Sequence, residues 1–165
     1  MLVYGGCLQN NSITGDMLAL DLQYFEWSRV NLKGTLKIDP VMQGQCCAVQ
    51  QSKSTSRIYD SQEELKRKSD QVLEGIYFFG GKNSKGELQN KMHYLKCKLI
   101  DDRISSAEWA KIPKLQGEPP CGRTGHGMLY LPTCAGIVIV GGRNDAECKS
   151  LSIPFLDDMH LFMLD

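Results

Sequence analysis

The residues able to do chemistry are few and scattered. Three histidines stand at positions 93, 126 and 160, and seven cysteines at 7, 46, 47, 97, 121, 134 and 148. His126, behind Arg123-Thr124-Gly125, carries a ring that could serve as a base, but its place in the repeat described below favours a structural part. Cys46 and Cys47 are adjacent, a poor geometry for a mutual disulfide, and no C-x-x-C pair occurs. Scattered thiols of this kind read as reduced, as small apolar side chains, and as cytosolic. A structural zinc site needs clustered ligand spacing, and the chain has none. Asp157-Asp158 has the form of a carboxylate pair. Gly80-Gly81-Lys82 and Gly141-Gly142-Arg143 each set a cation after a glycine turn, as in an anion nest. No G-x-x-x-x-G-K-[ST] pattern accompanies them, so a nucleotide site is not indicated. No catalytic constellation emerges, and the expectation is a protein without enzymatic activity, cofactor or metal.

The composition points the same way. Nineteen basic and nineteen acidic residues cancel, which removes the bulk electrostatic case for nucleic acid or an anionic membrane. Apolar content of 42% and charged content of 23% are those of a soluble globular protein. No apolar run approaches the roughly 20 residues of a membrane span, and the start of the chain lacks the pattern of a signal peptide.

The elements that position these residues recur. Val3-Tyr4-Gly5-Gly6, Tyr77-Phe78-Phe79-Gly80-Gly81 and Ile137-Val138-Ile139-Val140-Gly141-Gly142 each end an apolar run in paired glycines. A polar turn follows, then an apolar strand: Leu18 to Leu22, Met92 to Lys98, Met159 to Asp165. A third strand carries tryptophan in two units, at Trp27 within Glu26–Val30 and at Trp109 within 108–112. Cys46 to Val49 precedes the second unit as an innermost strand, and Gly125 to Leu131 precedes the third. Each unit is thus a small antiparallel sheet of up to four strands. Such a sheet cannot bury both of its faces alone, so neighbours must stack. The glycine pair ends a strand where backbone passes close to backbone. The tryptophan ring suits the gap between stacked sheets.

These residues resemble the kelch repeat of β-propellers. The family pattern has a diglycine, a later acidic position, a spaced tryptophan, then Gly-x-x-Pro and Arg-x-Gly-His. The second unit matches it in Gly80-Gly81, Trp109, Gly117-Glu118-Pro119-Pro120 and Arg123-Thr124-Gly125-His126. The first keeps Gly5, Gly6, Asp16 and Trp27 but departs at Pro40 to Cys46; the third keeps Gly141, Gly142 and Asp157-Asp158. The resemblance implies an all-β fold of kelch-type blades, each of four antiparallel strands. It divides the chain into a partial unit at 1–44, a second at 45–113 with an insertion at 51–74, and a partial third at 114–165. It also implies that Asp16, Asn90 and Asp157 bond turn backbone beside the diglycines.

The spans from Gly5 to Gly80 and from Gly80 to Gly141 both exceed the roughly 50 residues of a plain unit, hence the insertion. Ser61-Gln62-Glu63-Glu64 fits a capping box leading into a short helix over Glu63 to Val72. About two and a half units cannot close a ring of 4–8 blades. The expectation is an incomplete ring, completed by further blades of the same or another chain; self-association of the fragment ranks behind these.

Function follows from the resemblance. Kelch propellers typically serve as protein-binding scaffolds whose loops gather on one face. Asn10, Asn11, Lys82, Asn83, Arg143 and Asn144 are the loop residues placed to reach a protein partner. The alternatives are a non-catalytic propeller attached to an enzyme such as a phosphatase, or the substrate-recognition arm of a ubiquitin ligase. Some kelch-like propellers are copper-radical oxidases, but Tyr4, Tyr24, Tyr77, Tyr94 and Tyr130 lack recognisable ligand partners. The expected compartment is the cytoplasm.

Overall fold

The computed structural model describes residues 1–50, 73–100, 103–113, 116–148 and 154–164. The helix expected over Glu63–Val72 and the body of the 51–74 insertion lie outside them. The chain is all-β. In order, its strands are β1 (Leu2–Tyr4), β2 (Met17–Leu20), β3 (Trp27–Arg29), β4 (Leu32–Lys33), β5 (Gln45–Val49), β6 (Gly75–Phe79), β7 (Met92–Ile100), β8 (Arg103–Ala110), β9 (Gly127–Leu131), β10 (Gly136–Val140) and β11 (Met159–Met163). They form three sheets, ordered β1-β2-β3, β4-β8-β7-β6-β5 and β11-β10-β9. Every pairing is antiparallel except β4 with β8. The sheets do not close into a ring among the described residues.

The register puts the three diglycines at equivalent positions of their sheets. The pairing next to each diglycine is Tyr4 with Met17, Phe79 with Met92, and Val140 with Met159. A methionine thus opens the second strand of every unit. Trp27 and Trp109 also correspond, since Leu20 pairs with Trp27 as Leu95 pairs with Trp109.

Alternation gives each sheet two faces, and the sheets stack in one sense. We call the side bearing Ile76, Phe78, Leu95 and Trp109 the leading face of the second sheet. It packs on Leu2, Tyr4, Met17 and Ala19, the trailing face of the first. Tyr4 sits edge-on to both Phe78 and Trp109, with ring centroids 5.6 and 5.1 Å away. The second sheet's own trailing face carries Val49, Tyr77, Met92 and Tyr94. It packs on Ile137, Tyr130 and Phe162, the leading face of the third. Tyr77 and Phe162 meet across this junction at 6.4 Å.

The diglycines hold the sheets in phase. All six of these glycines have φ between +61° and +107°, a region that side chains avoid. A methyl group on Gly80 would lie 2.6 Å from the Arg123 carbonyl oxygen and 2.6 Å from His126 Cε1. The next amide, Gly81 N–H, donates to that Arg123 oxygen at 2.8 Å, as Gly6 N–H donates to Val41 O at 3.1 Å. Val41 to Gly44 therefore follows the path of Arg123 to His126. Gln43 even keeps the left-handed backbone, φ +58° against +62° at Gly125. The side chains of Val41 to Gly44 differ from those of Arg123 to His126, while the backbone route is the same.

Candidate partner-binding rim and cleft

The turns that follow the diglycines share one construction. The residue after each pair bridges back across its turn: Cys7 to Ile13, Lys82 to Leu88, Arg143 to Phe155. In two of them an asparagine fills the turn. Asn83 Oδ1 accepts the amides of Lys85 and Glu87 at 3.0 Å, and its Nδ2 donates to Glu87 Oε2 at 2.8 Å. Asn144 Oδ1 accepts the amides of Ala146 and Glu147, and its Nδ2 donates to Gly122 O at 2.6 Å. Both side chains are buried. These carboxamides have their polar groups engaged within the rim and so shape it. Asn10 does the same in the open, accepting Ser12 N–H and Oγ–H. Asn11 takes a left-handed backbone at φ +62° on an exposed turn. Arg143 is exposed but pairs with Asp145 at 2.7 Å. Lys82 makes no ion pair among the described residues. The loops also interlock. A methyl group on Gly122 would lie 2.6 Å from Leu88 O, so the turns of the second and third units and the segment between them form one continuous rim.

Beneath the rim lies the molecule's polar centre. Arg123 is fully buried, and its guanidinium grips Asp158 in a two-pronged pair, NH1 to Oδ1 at 2.5 Å and NH2 to Oδ2 at 2.7 Å. NH1 also donates to Gly141 O, Nε to Cys121 O, and NH2 to Cys121 Sγ. All of its donor groups are thereby engaged. His160 Nε2 lies 2.8 Å from Asp158 Oδ2 on the other side. The hydrogen bonds from Arg123 above all, then from His160, hold the Asp158 carboxyl well below the usual carboxylate range. Asp158, immediately before Met159, is thus the acidic residue that matters in the third unit. Asp157, the expected one, is its exposed neighbour. The register aligns Asp158 with Asp16 and Lys91, not with Asn90. The bond to the diglycine comes from main chain, Gly5 N–H to Asp16 O and Gly141 N–H to Asp158 O. The Asp16 side chain instead pairs with Arg29 at 2.5 Å. Sequence spacing could not see Arg123, 35 residues away.

His126 is buried edge-on against Phe79, ring centroids 5.6 Å apart, and neither ring nitrogen has a hydrogen-bond partner in the protein. Burial, helped by the nearby Arg123 charge, lowers its pKa to about 4. An unpartnered, neutral ring packed between Gly80 and Gly142 is a spacer in the frame. All seven cysteines are free thiols. For three of them burial raises the thiol pKa, Cys46 and Cys97 upward and Cys47 to about 12, away from the thiolate that nucleophilic or redox chemistry uses. No group of three or more potential metal ligands gathers among the described residues.

At the rim end of the second junction, the sheets splay into an open cleft of about 580 Å³. Its floor is apolar, made by Phe79 and Met92 of the second sheet and Ile139 and Phe162 of the third. Lys91, Lys111, Glu118, Pro119 and Pro120 also line the cleft. Neither lysine has an ion-pair partner among the described residues. His93 is kept neutral by burial and by the Lys91 charge. An apolar floor flanked by lysines can hold a ligand. Sequence reasoning missed this cleft because its walls come from two units and gain meaning only once the sheets stack.

No protein-family model matches this chain, and no curated protein sequence matches it. No described helix is long and apolar enough to cross a membrane.

Proposed function

We propose that the chain is part of a kelch-type β-propeller that works as a protein-interaction scaffold, with the cleft between its second and third sheets receiving the partner. Three features support the propeller reading: sheets stacked in one sense, a diglycine at the same register of each, and buried Trp109 between two of them. The cleft carries the interaction reading. A pocket of this size and makeup suits a peptide that inserts an apolar side chain and sets an acidic residue against Lys91 and Lys111. The rigid, interlocked rim keeps the site formed before the partner arrives, which reduces the ordering cost of binding.

A photo-crosslinking side chain at Lys111 tests this in cell extract. Discrete adducts should form there, weaken when Lys91→Glu is added, and be absent when the probe sits at Lys98, at the far end of β7. Equal labelling at both positions would refute the cleft as the binding site.

A further inference from the structure

Each internal junction is made by the same register positions, leading face on trailing face. Two faces remain uncovered by the described residues. One is the leading face of the first sheet, with Val3, Leu18, Leu20 and Trp27. The other is the trailing face of the third, with Leu129, Val138, Val140, Met159 and Leu161. The trailing face is apolar in every strand, and the leading face is apolar apart from Arg29, which is paired with Asp16 at its edge. The same register position is closed where a neighbouring sheet exists and open where it does not. Trp109 is 7% exposed and its equivalent Trp27 55%; Met17 is 2% exposed and its equivalent Met159 71%. Contiguous apolar surface on this scale marks an interface. The two free faces are also of opposite kind, one leading and one trailing, so one copy of the chain carries the complement of what another exposes.

We propose that two copies of this chain join head to tail. The third sheet of each would cover the first sheet of the other, and six sheets would close one ring. Six falls within the 4–8 sheets of closed propellers, and head-to-tail contacts close into rings when the rotation per unit allows. At each new junction Trp27 takes the place that Trp109 holds within the chain. It lies against Val140 of the second copy, which is the register equivalent of Tyr4. The inference rests on the stacking reading above but not on the cleft. An empty cleft and a monomeric chain are separate failures.

The test is the mass of the purified chain by light scattering and native mass spectrometry. The expected species has twice the 18.5 kDa of one chain. Trp27→Glu spoils only the leading end and Val140→Glu only the trailing end, so each alone should be monomeric. Both positions are exposed, and an unchanged far-ultraviolet circular dichroism spectrum confirms that each variant still folds. Mixed together, the two variants should recover a heterodimer through their one intact pair of faces, which an interface built from a single self-complementary patch would not do. A monomeric parent chain at 100 µM overturns the proposal. So does a dimer indifferent to both substitutions, a mixture that fails to pair, or an open-ended series of larger species.

Discussion

Trp27 and Trp109 occupy the same register position of consecutive sheets, opposite Leu20 and Leu95, yet one is exposed and the other sealed. The difference lies in the presence of a neighbouring sheet, since the local strands are alike. Trp109 rests edge-on against Tyr4 of the first sheet and Phe78 of its own. Trp109→Ala should therefore cost about 3–5 kcal/mol, the range for removing a large buried aromatic ring. Trp27→Ala should change the stability of the single chain by about 0.5 kcal/mol or less. Urea unfolding of the two variants at a concentration where the chain is monomeric checks this. Equal losses would mean that the first sheet does not cover Trp109.

The diglycine offers a sharper contrast. Gly6 and Gly80 both have positive φ, but a methyl group meets nothing within 4 Å at Gly6, whereas at Gly80 it strikes the Arg123 carbonyl and the His126 ring. Gly6→Ala should show backbone strain alone, about 1 kcal/mol. Gly80→Ala should add the clash and cost at least about 2–3 kcal/mol, with the loss read as a lower midpoint in thermal or urea unfolding.

The Arg123–Asp158 pair predicts an asymmetric response to mutation. Asp158→Asn strands a fully buried guanidinium. A loss of about 2–3 kcal/mol is expected, less than the 3–5 of a wholly buried pair because Asp158 retains contact with water. Replacing both partners, Arg123→Met with Asp158→Asn, should recover part of it. A double variant no better than the single would show that the pair is not what positions Gly141.

Stability should fall with acid in two steps. His126 titrates at about 4 when folded, below its ordinary value of 6.5, so the unfolded chain binds more protons between those limits. Its contribution is complete above pH 6.5 and is lost progressively down to about pH 4, on the order of 3 kcal/mol in all. The depressed Asp158 carboxyl acts next. Its contribution is present above about pH 4, where the unfolded carboxylate is ionised, and is lost as the pH falls further. His126→Leu should shrink the first step, to which buried His93 also contributes, and leave the second. Urea midpoints taken from pH 7 to pH 3 would show it, and an unchanged slope above pH 4 would remove His126 as the cause.

Much of the frame was legible in the chain because its signals are local. The apolar runs at Leu2–Tyr4, Gly136–Val140 and Cys46–Val49 announce strands by their own side chains, and glycine pairs mark where the first two end. What escaped depends on partners distant in sequence. β4 is two residues long and is a strand only because β8 lies beside it. Asn83 and Asn144 look like free loop residues until the turns around them close. Asp157 and Asp158 are indistinguishable as neighbours until Arg123 selects one. The cleft needs two stacked sheets before it exists at all.

The strand β4 carries a mechanical consequence. The chain leaves the first sheet at Arg29 and almost at once runs parallel to β8 of the second, where Ala107 N–H donates to Asn31 O at 3.1 Å. A load along these strands must slide β4 past β8 and break their bonds together, as in a lap joint. A load across them can peel the bonds one at a time. The junction between the first two sheets is therefore anisotropic: the direction of a pull, as much as its size, decides whether they part.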